Sequence, residues 1–176
     1  MKQENFKLDN NIMEFLTLAM EFCVTLENTP QYELNDFVGK ITKLMPLMYL
    51  KADLMPEYDD ISESEIEQFV TEENYDIVRN NIAALLGQYD DFLEVFVEDM
   101  KYSDKPILST VSENLADIYQ DIKNFVMIFK MEAVDEILLQ AAAECKDNFK
   151  FYWGQRLVNV MRPLHELKYN INEEVD

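Results

Sequence analysis

The chain has 176 residues, 48% of them apolar and 28% charged, with a formal net charge of −20. That length and apolar share suit one ordinary core rather than a disordered chain. The three glycines, Gly39, Gly87 and Gly154, lie too far apart for a P-loop or a dinucleotide fingerprint, and the scarcity of Gly and Pro argues against a β-sandwich or barrel.

The periodicities are helical almost throughout. In "NNIMEFLTLAMEFCVTLEN", Ile12, Phe15, Leu16, Ala19, Cys23 and Leu26 form one stripe, with Asn10 or Asn11 as cap. "LNDFVGKITKLMPLMYLKADLMP" follows, with Leu34, Phe37, Val38, Ile41, Leu44 and Met45 in register. Pro46 lacks an N–H and clashes with the carbonyl four residues back, so a kink or break is expected there, and Pro56 ends the element. Ser62 and Glu65 in "ISESEIEQF" have capping-box spacing and predict a short helix. Thr71 caps another through Tyr75, Val78, Ile82, Leu85 and Leu86, stopping near Gly87. "YDDFLEVFVEDM" keeps helical phase at Tyr89, Phe92 and Phe96; it is read as helix, although "FLEVFV" also suits a short extended piece.

Thr110 and Glu113 repeat the capping-box spacing ahead of the clearest helix, where Leu108, Val111, Leu115, Ile118, Ile122, Phe125 and Phe129 alternate by three and four. The last stripe runs through Val134, Leu138, Ala141, Cys145, Phe149, Trp153, Leu157, Val160 or Met161, and Leu164. It predicts a helix roughly 45 Å long, with a bend at Gly154 or near Pro163. The fold class expected is all-α: a single domain over 1–176, built as a bundle of six to seven helices with a long C-terminal helix, an ordered core over about 10–168 and flexible termini.

"MKQENFKLDNN" has no uninterrupted apolar stretch of the secretory kind, and nowhere do about eighteen apolar residues run together. Cys23 and Cys145, far apart in sequence, read as buried free thiols in a reducing compartment, so a soluble cytoplasmic location is expected. Residues 52–100 hold fifteen acids and one base, Arg79. That distribution excludes direct nucleic-acid or anionic-membrane binding through a basic surface, and leaves basic partners, cations or plain solubility.

One His and two distant Cys make no zinc site of the usual kind, and Arg162 stands where a di-iron Glu-x-x-His pair would need Glu before His165. "EYDDISESEIE" lacks the glycine and ligand spacing of an EF-hand loop. No motif supports a nucleophile, so no catalytic residue, metal or cofactor is assigned. The segment "FYWGQRLVNVMRPLHELKY" gathers the only Trp, the only His and two of the three arginines. On a helix, Arg156, Asn159 and Arg162 or Pro163 recur beside Trp153, Leu157 and Met161, which suits a pocket for an anion or an aromatic ligand. The simpler alternative makes Trp153 core and the arginines anchors for surplus acids, with partners in 52–100. Asp117 and Asp121 share one helix face, more often a solvated face than an acid–base pair.

Three stretches, "LMPLMYLKADLMP" (44–56), "LADIYQDIK" (115–123) and "WGQRLVNVMRPLH" (153–165), together resemble a family of small acidic all-helical bacterial proteins, domain of unknown function 5063. The resemblance runs from the first helix to His165. It implies a cytoplasmic bacterial helical domain and brings no activity or cofactor. The matching positions are Leu50, Lys51 and Ala52, then Asp117, Tyr119 and Asp121, then Trp153, Gly154, Arg162 and His165. The family often has a histidine where this chain has Arg156, which puts two-histidine chemistry there in doubt.

The function expected is protein–protein interaction, as an adaptor or regulatory domain whose Met and aromatic residues suit adaptable surfaces. The partner is another protein, a basic one being favoured by the charge, and the long apolar stripes are compatible with a homodimer. One alternative is a small-molecule or anion-binding protein or enzyme with a site near Lys51, Trp153, Arg156, Arg162 and His165. Another is a nucleic-acid mimic that binds a basic protein through residues 52–100.

Overall fold

A computed structural model of the protein describes residues 8–58, 66–94, 106–131 and 133–170. Helix α1 (Asn10–Glu27) is capped by Asp9, whose carboxylate accepts the Asn11 N–H at 2.7 Å, so the cap lies one residue ahead of the expected asparagines. A single 3₁₀ turn at Thr29–Gln31 folds the chain back into α2 (Leu34–Asp53), which runs on through Pro46 instead of breaking. The proline ring gives up one bond, to the Thr42 carbonyl, but Leu44, Met45 and Met48 around it are buried, and tertiary packing rather than propensity holds the turn. Helix α3 (Glu72–Leu86) starts as expected: the Thr71 hydroxyl oxygen accepts the Asn74 N–H at 3.2 Å. It stops at Gly87, which takes φ 54°, a left-handed conformation that suits glycine.

Two expected helices are not found among the described residues. Ser62 and Glu65 lie outside the described residues, but residues 66–70 are non-helical. There the Asn124 side-chain Oδ1 accepts the N–H groups of Phe69 and Val70, at 2.7 and 3.0 Å, supplying from another helix the bonds a local turn would have made. Residues Asp91–Glu94 form strand β1, antiparallel to β2 (Ile107–Thr110) in register Asp91↔Thr110 to Glu94↔Ile107; Phe96 lies outside the described residues. Alternating half-buried Phe92 and Glu94 with exposed Asp91 and Leu93 is a period of two, and it wins over the weak helical phase of this stretch. Leu108, counted in a helical stripe, therefore sits on β2. Buried Asp90 fixes the hairpin to the next helix by accepting the Ser112 N–H at 2.7 Å and the Ser112 hydroxyl at 2.6 Å.

Helix α4 (Val111–Lys130) begins at the Thr110 cap and packs against α1, α3, α5 and α6. Twelve of its twenty residues are buried, which makes it the central helix. Helix α5 (Asp135–Asn148), a π turn at Phe149–Trp153 and α6 (Gly154–Asn170) run on as one long C-terminal helix. Counted so, the described residues hold five helices and a two-stranded sheet: an all-α bundle, against the six to seven helices expected. The core is a continuous apolar cluster in which Phe15 of α1 meets Phe125 of α4 (5.4 Å) and Trp153 of the π turn (6.0 Å). Buried Lys146 of α5 caps α2 from outside, donating to the carbonyls of Ala52 at 2.9 Å and Asp53 at 2.5 Å.

The π turn has a cause in the spacing. Cys145, Phe149, Trp153 and Leu157 are all buried and step by four, and an α-helix overshoots a full turn by about 40° at each such step. One wider turn absorbs the excess and keeps all four on the core side. It also brings the Phe149 carbonyl against residue 154: a Cβ there would lie 2.3 Å from that oxygen. Gly154→Ala is therefore expected to cost about 1–3 kcal/mol, while Gly39→Ala, with nothing within 4 Å of the added carbon, gains up to about 1 kcal/mol from helix propensity. Urea unfolding of both variants at unchanged m-value checks the opposite signs.

Candidate functional site

Four polar residues of α4, Asn114, Asp117, Asp121 and Asn124, fall at i, i+3, i+7 and i+10 on one face, and each meets a different neighbour. Asn114 donates to the Thr110 carbonyl at 2.8 Å and the Ser109 hydroxyl at 2.9 Å. Asp117 accepts the Tyr75 hydroxyl of α3 at 2.8 Å, and its other oxygen lies 3.0 Å from Arg156 Nε of α6. That second contact is an ion pair without the alignment of a hydrogen bond. Asp121 accepts from Asn148 of α5 at 2.9 Å, and Asn124 holds residues 68–70. The Asp117 side chain is only 13% exposed, so this face is an internal polar seam and not the solvated face expected. Burial, and then the Asp117 carboxylate, raise the Tyr75 hydroxyl far above its usual range, so Tyr75 donates rather than ionises.

The remaining candidates are spread over the molecule. Trp153 is fully buried: its indole N–H donates to the Cys145 carbonyl at 3.1 Å and its ring packs on Phe149. Arg156 reaches the seam, its guanidinium 4.5 Å from the Tyr152 ring centroid and 3.4 Å from Asn114 Oδ1. Lys51 pairs with Glu14 of α1. Tyr119 donates to Glu27 at 2.9 Å, with Lys123 on the same carboxylate. Arg162 is exposed and pairs with Glu166 one turn on, and exposed His165 lies against Tyr169 with ring centroids 4.8 Å apart. The two arginines thus take acids of α4 and α6, not of segment 52–100. Cys23 and Cys145 are buried and unpaired; burial pushes the Cys23 thiol up to about 12 and Cys145 well up too, which disarms both as nucleophiles.

A groove of about 770 Å³ lies elsewhere, between β1 and α6. One wall is the whole of β1, Asp91–Glu94; the other is the α6 face bearing Val158, Asn159, Arg162, Pro163 and Leu167. Asn159 donates to Glu94 at 2.6 Å and ties the walls together. Leu93 is 60% exposed and Val158 is 55% exposed, so each wall presents an apolar side chain to the groove. Of the residues the sequence placed in a candidate pocket, Asn159 and Arg162 line this groove, whereas Lys51, Trp153, Arg156 and His165 do not. The extended reading of "FLEVFV" was the signal for its strand wall, and the recurrence of short polar residues at three and four along 114–124 was the signal for Asn114 and Asn124 in the seam, with Tyr75 and Asn148 as partners of its two aspartates.

Asp121 borders a small cavity of about 20 Å³ between α4, α5 and residues 66–68, room for one water, with Glu144 and Asn148 beside it. Burial lifts its carboxyl to about 6; the Asn148 bond opposes this, Glu144 and Asp117 add to it, and Arg156 offsets part. A carboxyl raised in the folded state binds its proton more tightly there than in the unfolded chain, so its contribution to stability is lost as pH rises from about 4 to about 6 and stays lost above. Asp121→Asn is expected to raise Tm by about 2–4 °C at pH 7.5, a gain that vanishes by pH 4. Calorimetry across that range checks both the sign and the window.

No helix among the described residues is long and apolar enough to cross a membrane. No functionally curated protein matches the chain. The crystal structure of protein BF1032 from Bacteroides fragilis, a structural-genomics target, is similar at 42% identity and TM-score 0.81, over 92% of this chain and 94% of that one. The family model for the domain of unknown function DUF5063 matches residues 6–170, nearly the whole chain. With the same fold recurring at that level of identity, the chain belongs to the DUF5063 family.

Proposed function

We propose that the chain is a cytoplasmic docking domain that holds a partner protein in the groove between β1 and α6. The observation that carries this is the groove itself, where exposed Leu93 and Val158 stand on opposite walls of one concavity. A concave apolar strip with a polar rim is the form that partner sites take. The polar seam of α4 argues in the same direction, because its members are bonded to one another's neighbours inside the chain and serve cohesion rather than chemistry on a substrate. Two unpaired buried thiols fit a reducing compartment.

Native mass spectrometry of the protein purified at low salt from its own cells tests the reading. The wild type is expected to carry extra mass of tens of kilodaltons, about the size of a typical domain. Leu93→Thr and Val158→Gln, which keep strand and helix propensity, should lose it, whereas Ile77→Gln, an equally exposed site on α3, should keep it. Retention by all three variants would move the partner site off the groove. A retained mass of a few hundred daltons would favour a small-molecule site instead.

A further inference from the structure

We infer that the groove takes its partner as an added strand, an extended segment that pairs with the open edge of β1 and carries basic side chains between its apolar ones. Side chains of a strand alternate between two faces, yet all four consecutive residues of β1 line the groove and no residue of β2 does. The groove therefore runs along the edge of β1 away from β2, not over one face of the hairpin. The ladder with β2 uses one edge, and among the described residues no strand pairs with the other. Such an edge offers a row of N–H and C=O groups that a second extended chain can satisfy, while α6 supplies the apolar floor through Val158, Pro163 and Leu167.

Charge selects the chemistry of the added strand. Three carboxylates line the groove, Asp91, Glu94 and Glu166, against one guanidinium, Arg162, which Glu166 already pairs at 3.4 Å. A partner bearing Lys or Arg gains these contacts and is drawn in by the −20 net charge, while an acidic segment is repelled by both. This specifies, on the docking reading above, how the partner is held.

The test is a titration of the ¹⁵N-labelled full chain with a synthetic heptapeptide of alternating lysine and valine, followed by amide shifts. The expected result is a set of shifts confined to Asp91–Glu94 and the Val158–Leu167 face, with binding weakened about tenfold in Val158→Gln and unchanged in Ile77→Gln. The same peptide with alternate backbone nitrogens methylated, and the same peptide with glutamate for lysine, should both fail to shift these amides. Equal binding of the methylated peptide overturns strand addition, and equal binding of the glutamate peptide overturns the basic partner. Absence of shifts at millimolar peptide overturns both, as does concentration-dependent self-association that moves these amides without peptide, since the groove would then belong to a second copy. The cellular co-purification can still succeed or fail in any of these cases, so the two results separate how a partner is held from whether the groove holds one.

Discussion

A helix surrounded by others must leave no polar atom unpaired, and α4 meets that demand with a seam rather than with an all-apolar surface. Each buried amide or carboxylate left without a partner would cost on the order of 1–3 kcal/mol. Asn114, Asp117, Asp121 and Asn124 avoid this by drawing a different element to each position: the β2 strand, α3 with α6, α5, and the extended stretch ahead of α3. Apolar packing is non-directional and would tolerate several rotations of these elements about α4. The seam is directional and selects one of them. The bundle's stability thus comes from its apolar cluster, and its particular arrangement from four short side chains.

Helices were legible wherever a stripe was long and a cap was present. The Thr71 and Thr110 caps, the Gly87 stop and the core positions of α1, α2 and α4 all follow from spacing alone. The misses share a physical cause, a distant partner that outweighs a local preference. Residues 66–70 carry a helix-like pattern, but Phe69 and Val70 spend their N–H groups on Asn124, more than fifty residues away in sequence. The "DFLE" stretch has no strong preference of its own and becomes a strand because "ILST" lies alongside it. Pro46 is tolerated because its neighbours are buried. At the candidate site the gathering of rare residues near the C-terminus was real in sequence, but a helix spreads neighbours around its circumference. Trp153 points into the core, Arg156 to the seam, and Arg162 to the groove.

Seam and groove treat polar and apolar side chains in opposite ways. Inside, the polar side chains of α4 that a purely apolar core would exclude each have a partner. Outside, apolar side chains that solvent would exclude are left on a strand edge and a helix face held together by one Asn159–Glu94 bond. The first arrangement is closed, and a ligand could add to it only by breaking existing bonds. The second is open, and whatever fills it adds contacts without removing any, apart from the exposed Arg162–Glu166 pair, which is weak in water.

The π turn at Phe149–Trp153 decides which residues of α6 reach that open side. It inserts the equivalent of one residue into an otherwise regular helix, and everything downstream is rotated about the axis by about 100° relative to an uninterrupted α-helix. Chain length, helix length and buried aromatic content would all survive the loss of one residue from this turn. The azimuth of α6 would not: Leu157, Val160 and Leu164 would swing away from the core and a different set of side chains would take the groove wall. In this fold a single-residue insertion or deletion at 149–153 acts like a dial on the outer face, and relatives that share the bundle but differ there would share a scaffold without sharing a binding surface.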